Sequence, residues 1–185
     1  LEDLLPALVE AGTDVINPDP RKRFFSDVYV PIVAGVRGVC VGGGLELMLG
    51  TDIRIASTDA SFAFGEVRYG LIPGAGSHVR LPRQIPYAIA MEMLLTGTPI
   101  TAERALSIGL VNEVVAPEDT LPRALEVART IARNSPVAVR TAKEVVVRSL
   151  ELEDGFELEH SLNPRALRSA DAQKGLAAFR ERREP

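Results

Sequence analysis

Cysteine, histidine and long apolar runs are scarce in this sequence, and each scarcity excludes a class of protein. A single cysteine, Cys40, cannot form an internal disulfide, and this fits a reducing compartment such as the cytoplasm or the mitochondrial matrix. The only histidines are His78 and His160, so the chain lacks the His/Cys set that would hold a metal, and no metal is expected. No apolar run is long enough to span a bilayer, and we expect no membrane association.

An excess of basic residues is also lacking. The 185 residues contain 21 Lys and Arg against 25 Asp and Glu, giving a net charge of -4. A nucleic-acid-binding protein would show a basic surplus, so no nucleic-acid partner is expected. The length is sufficient for one domain with a real core.

The apolar segments predict an α/β arrangement. Predicted strands are Val30–Val36, Asp52–Ala56, Phe62–Phe64 and Val111–Val115. Predicted helices are Leu1–Ala11, Phe24–Val28, one beginning at Leu45, Pro86–Leu95, one capped by Thr101 and stopped by Gly109, Leu121–Arg133, Pro136–Leu150, Glu153–Ser169 and Ala170–Arg183. Strands therefore dominate the first part of the chain, and helices form its last third.

Two acids stand out because their surroundings are apolar and rich in glycine. Glu46 follows Gly42-Gly43-Gly44, and Glu66 follows two phenylalanines and Gly65. A carboxyl in an apolar setting tends to have a raised pKa and to serve as an acid or base. The alternative is that each acid caps a helix or forms an internal salt bridge.

The glycine run before Glu46 predicts a site for negative charge. A glycine turn that opens a helix presents unpaired backbone N–H groups at the positive helix end. The run lacks the Gly-Lys-Ser/Thr of a P-loop and the G-x-G-x-x-G spacing of a dinucleotide site. A phosphate and a developing enolate or oxyanion both remain possible ligands.

An ordered set of motifs from Val30 to Pro185 resembles the crotonase (enoyl-CoA hydratase/isomerase) superfamily. The motifs are Pro31-Ile-Val-Ala-Gly-Val-Arg-Gly38, Gly42-Gly-Gly-Leu-Glu-Leu47, Asp52-Ile-Arg-Ile-Ala-Ser57, Phe64-Gly-Glu66, Gly70-Leu-Ile-Pro-Gly-Ala-Gly76, Arg80-Leu-Pro-Arg83, Leu95-Thr-Gly97, Ala102-Glu-Arg-Ala-Leu106, Ile108-Gly-Leu-Val-Asn-Glu-Val-Val115 and Phe179-Arg-Glu-Arg-Arg183.

The resemblance implies a fold and an assembly. The expected fold is an α/β crotonase-like spiral of ββα units followed by a helical C-terminal region. Residues 1–116 would form the remainder of the spiral core, and residues 117–185 would form the helical region that contacts CoA and joins subunits. The family forms homotrimers, often paired as dimers of trimers, and the same is expected here.

The resemblance also implies roles for the two acids. In the family's hydratases two glutamates hold a water molecule over the double bond of a trans-2-enoyl thioester, and here these match Glu46 and Glu66. We expect Glu46 to orient and deprotonate the water and Glu66 to donate a proton. The spacing between Gly65 and Glu66 is shorter than the family usually has, although the acid aligns without a gap to the loop beyond.

Four further positions match the family's binding residues. Gly43 matches a backbone N–H of the oxyanion hole, whose partner donor belongs in the family to an earlier loop that precedes Leu1. Gly74 matches an N–H near the catalytic water. Phe179 and Arg182 match C-terminal positions that reach a neighbouring subunit's CoA, where Lys is more usual at the second. His78 departs from the family pattern and is expected to be structural or to line the acyl pocket.

The function that the resemblance implies is hydration of a 2-trans-enoyl-CoA to 3-hydroxyacyl-CoA. The acyl-CoA thioester is the substrate, and no separate cofactor is expected, because coenzyme A is part of that substrate. Isomerisation of the double bond is an alternative, as are sibling activities such as thioester hydrolysis or decarboxylation. A non-catalytic CoA-binding or assembly protein is an alternative of a different class.

Overall fold

The structure is a computed structural model that describes residues 19–149, 157, 160, 164 and 168–181. The predicted helix at Leu1–Ala11 and most of the one at Glu153–Ser169 lie outside the described residues.

Six short strands in these ranges form two three-stranded sheets. The strands are β1 Val33–Val36, β2 Val39–Val41, β3 Ile53–Ser57, β4 Ser61–Ala63, β5 Ile100–Thr101 and β6 Glu113–Val115. One sheet has the order β1-β3-β6 with all neighbours parallel. The other has the order β2-β4-β5, in which β2 and β4 are parallel and β5 is antiparallel.

The chain passes from one sheet to the other within each repeat. β1 leads directly to β2 through Gly38, whose φ of 62° suits glycine because a side chain is strained there. One repeat later β3 leads to β4, and the pairs stack in parallel register, with Val33 opposite Ile53 and Val39 opposite Ser61. Each pass of the chain therefore adds one strand to each sheet, which produces the expected spiral.

Helices and tight 3-10 turns occupy the connections. The helices are α1 Gly43–Leu49, α2 Ser77–Gln84, α3 Tyr87–Thr96, α4 Ala102–Ser107, α5 Thr120–Ala132, α6 Pro136–Ser149 and α7 Ala170–Arg180, and the 3-10 turns are Glu66–Tyr69 and Pro117–Asp119. The predicted cap of α4 is confirmed, because the Thr101 hydroxyl accepts the Arg104 N–H at 3.3 Å.

Four elements of the structure differ from the predictions. Residues 24–27 form turns instead of a helix, and Phe25 lies in the left-handed region with φ 65°. Helix α2 was not predicted, because the glycine-rich loop before it and Pro82 inside it both argue against a helix. Strands β2 and β5 were not predicted, because three and two residues are too few to show a period.

The apolar core lies between the second sheet and helices α1 to α4. Its largest members are at most 1% exposed: Leu45, Leu49, Phe62, Phe64, Leu81 and Met93. Helix α1 buries Leu45, Glu46, Met48 and Leu49 on one face, so Glu46 enters this core together with its apolar neighbours. None of the helices that the structure describes is long and apolar enough to cross a membrane.

Candidate active site

Glu46 is a buried acid that is fixed by hydrogen bonds. It lies in the first turn of α1 and is only 4% exposed. Its Oε1 accepts the backbone N–H of Ala75 at 2.6 Å and the hydroxyl of Ser77 at 2.9 Å. An ionised carboxylate only accepts hydrogen bonds, so two donors at one oxygen suit the charged form and hold the side chain in one orientation.

Glu66 has the opposite environment. It begins the 3-10 turn Glu66–Tyr69, and its Oε2 is buried without a hydrogen-bond partner in the part of the chain that the structure describes. Burial raises the pKa of this carboxyl, while its own backbone N–H and the charge of His78 lower that pKa to a lesser extent. Because Oε2 has no partner among the described residues, an internal salt bridge does not explain why a glutamate occupies position 66.

Two short segments connect the acids. A Cβ added to Gly42 would lie 2.9 Å from Glu66 Oε1, so this carboxyl packs directly against the glycine turn, and Gly42 O accepts the Glu46 N–H at 3.0 Å. At the start of α2, Ser77 contacts Glu46 while the adjacent His78 acts electrostatically on Glu66. The structure therefore brings the two predicted acids to one site and gives them different surroundings.

The glycine turn leaves its outer side open. Gly42 has φ 53°, and its N–H donates to Ala63 O at 3.1 Å. Gly43 is the first residue of α1, where N–H groups have no acceptor inside the helix. A Cβ at Gly43 or Gly44 would meet nothing within 4 Å, so a ligand atom can approach this backbone.

Sequence comparison adds the family to this geometry. The model of the enoyl-CoA hydratase/isomerase family matches residues 20–185. The chain belongs to this family.

Curated members of the enoyl-CoA hydratase/isomerase family include similar proteins. A carnitinyl-CoA dehydratase of Salmonella arizonae is 40% identical over 165 residues, covering 86% of this chain and 63% of the relative. An (E)-benzylidenesuccinyl-CoA hydratase of Thauera aromatica is 42% identical over 190 residues, covering 94% of this chain and 74% of the relative. The chain thus spans just under two thirds of the length of the first of these relatives.

Solved structures of the family share the fold. Carnitinyl-CoA hydratase from Mycobacterium avium superposes with a TM-score of 0.78 at 40% identity, covering 84% of this chain and 61% of that one. An enoyl-CoA hydratase from Mycobacterium avium subsp. paratuberculosis gives a TM-score of 0.85 at 26% identity, covering 96% of this chain and 72% of that one. The predictions of the family and of its α/β spiral fold are confirmed.

The remaining predicted site residues have different outcomes. Gly74 is buried next to Ala75, whose N–H holds Glu46, and its contact with a catalytic water stays a prediction. Phe179 lies on α7 and packs edge-to-face on Tyr69 of the same chain, with ring centroids 5.6 Å apart. Its contact with a partner's CoA also stays a prediction. Arg182 lies outside the described residues.

Sequence reasoning missed the two donors that hold Glu46. Ala75 contributes a backbone N–H, which no side chain reveals, and Ser77 follows a loop whose path the sequence does not define. The residue singled out from the sequence is instead the neighbouring His78, which is half-buried and acts electrostatically on Glu66. Among the described residues no three His, Cys, Asp or Glu side chains cluster as metal ligands would.

Replacing Glu66 with glutamine tests whether burying the ionised carboxylate lowers the stability of the folded protein. A raised folded-state pKa favours the protonated acid, so this contribution to stability is complete below the ordinary glutamate pKa and is lost as the pH rises through the folded-state pKa. Glutamine is neutral at every pH. We expect Glu66→Gln to raise the melting temperature at about pH 8 and to leave it nearly unchanged at about pH 4.

The control is Glu92→Gln, because Glu92 is exposed on α3 and its loss removes the same charge from the surface. Differential scanning fluorimetry at both pH values measures the four differences. A Glu66→Gln variant that is less stable than wild type at about pH 8 would contradict the account of this carboxyl.

Proposed function

We propose that this chain carries the acid–base groups of an enzyme that adds water to 2-trans-enoyl-CoA and forms 3-hydroxyacyl-CoA. The observation that carries the proposal is the contrast between the two carboxyls. Glu46 accepts two fixed hydrogen bonds, whereas Glu66 has a raised pKa and a buried oxygen that finds no hydrogen-bond partner among the described residues. Two acids whose environments separate their proton affinities can serve as one base and one acid at the same pH.

The proposed reaction begins with water at C3 of the enoyl group. Glu46 takes a proton from this water while the water oxygen bonds to C3. The electrons of the double bond move onto the thioester oxygen, which becomes an enolate. The N–H of Gly43, at the first position of α1 where the helix itself supplies no acceptor, donates to that oxygen as it becomes negative. Because the charge develops only during the reaction, this donor favours the transition state over the substrate.

Protonation at C2 completes the addition. Glu66 in its protonated form gives its proton to C2, and the enolate collapses to the thioester of the 3-hydroxy acid. Glu46 then holds the proton that came from water and Glu66 is ionised, so one proton must pass between them, directly or through solvent, before the next turnover. Since the acids share a small site, we expect them to titrate as a coupled pair.

The names of two relatives support the reaction class. One relative is named a carnitinyl-CoA dehydratase and another an (E)-benzylidenesuccinyl-CoA hydratase, and both names describe removal or addition of water on a CoA thioester.

The homotrimer or dimer of trimers expected from the family also remains a proposal. It is supported by the exposed apolar side chains of α6, where Val137, Val145 and Val146 are 75%, 61% and 58% exposed.

Crotonyl-CoA added to the full-length protein tests the function. We expect the ultraviolet absorbance of the conjugated enoyl thioester to fall as the double bond is hydrated, and 3-hydroxybutyryl-CoA to appear by chromatography. Appearance of conjugation from a 3-enoyl-CoA without hydration would favour the isomerase. Binding of CoA thioesters without turnover on short or long enoyl chains would favour the non-catalytic alternative.

A further inference from the structure

Gly175 occupies an unusual place for a glycine, in the middle of α7. An interior helical glycine costs about 1 kcal/mol relative to alanine, so its presence requires a packing reason. The reason is visible: a Cβ at Gly175 would overlap the carbonyl group of Tyr69 and lie 2.5 Å from the Tyr69 Cα. The helix backbone therefore rests directly on the backbone of the 3-10 turn Glu66–Tyr69.

Neighbouring side chains extend this contact on both sides of Gly175. Phe179, one helical turn later, meets the Tyr69 ring at 89° with centroids 5.6 Å apart, a favourable edge-to-face arrangement. Ala172 and Leu176 form a buried apolar cluster with Leu71, which follows the turn. Helix α7 therefore packs against both the turn and Leu71, which follows it.

The opposite side of the same turn meets the glycine turn before α1. Glu66 Oε1 lies so close to Gly42 that a Cβ there would be 2.9 Å away. Just after the turn, the Leu71 N–H donates back to Glu66 O at 3.1 Å, which ties the acid's backbone to the residue that α7 packs against. A displacement of α7 is therefore transmitted to Glu66 through backbone contacts.

We infer that α7 is a positioning element for Glu66 and that Gly175 is its key positioning residue. The inference rests on the proposed role of Glu66. Any side chain at 175 forces α7 and the turn apart, since the obstructing atoms are backbone atoms of Tyr69. The carboxyl then leaves its contact with Gly42, and water reaches the oxygen that is buried in the native protein.

Gly175→Ala in the full-length protein tests the inference by kinetics. We expect kcat for crotonyl-CoA hydration to fall about 100-fold, as for a misplacement of about 1 Å, with KM changed by less than about threefold. The control is Lys174→Ala, at an exposed position of the same helix, and it should keep the wild-type kcat. Wild-type kcat in Gly175→Ala would overturn the inference.

A second readout needs no activity. At about pH 8, Glu66→Gln is expected to have a higher melting temperature than wild type because it removes the buried carboxyl. This gain should disappear when Glu66→Gln is introduced into Gly175→Ala. If this gain persists undiminished, the contact does not position Glu66. If wild type hydrates no enoyl-CoA, the proposed function fails while this thermodynamic cycle still tests the contact.

A milder variant covers the case in which Gly175→Ala does not fold. Phe179→Leu removes the ring contact with Tyr69 and keeps the helix backbone in place. We expect a loss of kcat of about fivefold and a smaller gain from Glu66→Gln at about pH 8. Because Phe179 is also expected to contact CoA, the gain in melting temperature is the deciding readout, and an unchanged gain in Phe179→Leu would overturn the inference.

Discussion

Glu46→Gln and Glu66→Gln should each lower kcat for hydration of crotonyl-CoA by about 10²- to 10⁴-fold, the range typical of losing a general acid or base. Glutamine keeps the shape and removes the ability to exchange a proton. In Glu46→Gln the amide oxygen can still accept from Ala75 and Ser77, so the fold should persist. In Glu66→Gln the buried Oε2 has no hydrogen-bond partner to lose among the described residues, and substrate binding should remain near that of wild type.

The rates follow from stopped-flow absorbance of the enoyl thioester, and substrate binding follows from calorimetry with a non-reactive acyl-CoA. Glu92→Gln on the exposed side of α3 is the matched control and should keep full activity. The double variant should lose little more than the worse single variant, because groups that act as a unit are not additive. Retention of more than about a tenth of the wild-type kcat in either single variant would contradict the assigned roles.

Removal of the Arg54 guanidinium should have the largest effect on stability. This buried side chain of β3 donates through Nη1 to Leu110 O at 3.1 Å and through Nη2 to Leu49 O, Thr51 O and Gln84 Oε1 at 3.3, 3.0 and 2.9 Å. It therefore joins the end of α1, the end of α2 and the segment before β6. Burial lowers the pKa of Arg54 to about 10, and the hydrogen bonds offset part of the cost of burying this charge.

Arg54→Met removes the guanidinium donor from the carbonyl oxygens of Leu110 and Thr51, and a buried acceptor left without a donor costs about 1–3 kcal/mol. Leu49 O keeps the Gln84 Nε2 donor at 2.9 Å. We expect a loss of about 3–5 kcal/mol in the free energy of unfolding and a fall in melting temperature of about 10 °C. Arg129→Ala, at an exposed position of α5, should change the free energy by no more than about 0.5 kcal/mol. Equal unfolding curves for Arg54→Met and Arg129→Ala in urea would contradict this account.

The parts of the site that the sequence predicted are those defined by local pattern. Glu46 and Glu66 are recognisable in the sequence because each acid lies among glycines and large apolar residues, and the family motif pairs them. The glycine turn was identified for the same reason, and its positive φ at Gly42 accords with it. Each of these features depends on a few consecutive residues.

Features that depend on distant contacts were not predictable. The N–H of Ala75 reaches Glu46 across 29 residues, and Ser77 does so across 31. The contact between Gly175 and Tyr69 joins segments more than one hundred positions apart in the sequence. Periodicity predicts that α7 is a helix and which face is apolar, but not the element on which this face packs.

Helix α2 was not predictable from the sequence for a different reason. Its residues follow a run of glycines and include Pro82, which removes a helical N–H, so local propensity opposes the helix. Burial of Val79 and Leu81 in the core outweighs that propensity. The same helix carries Ser77, which donates to Glu46, and His78, which acts electrostatically on Glu66, so the missed element influences both acids.

The most direct measurement of the central proposal is the fate of solvent atoms during turnover. Full-length protein is incubated with crotonyl-CoA in deuterium oxide enriched in ¹⁸O, and the product is analysed by mass spectrometry. The account predicts 3-hydroxybutyryl-CoA with one ¹⁸O at C3 and one deuterium at C2, and loss of this product in Glu46→Gln and Glu66→Gln. Deuterium incorporation without ¹⁸O, or release of free CoA in place of a hydroxyacyl product, would contradict hydration by this pair of glutamates.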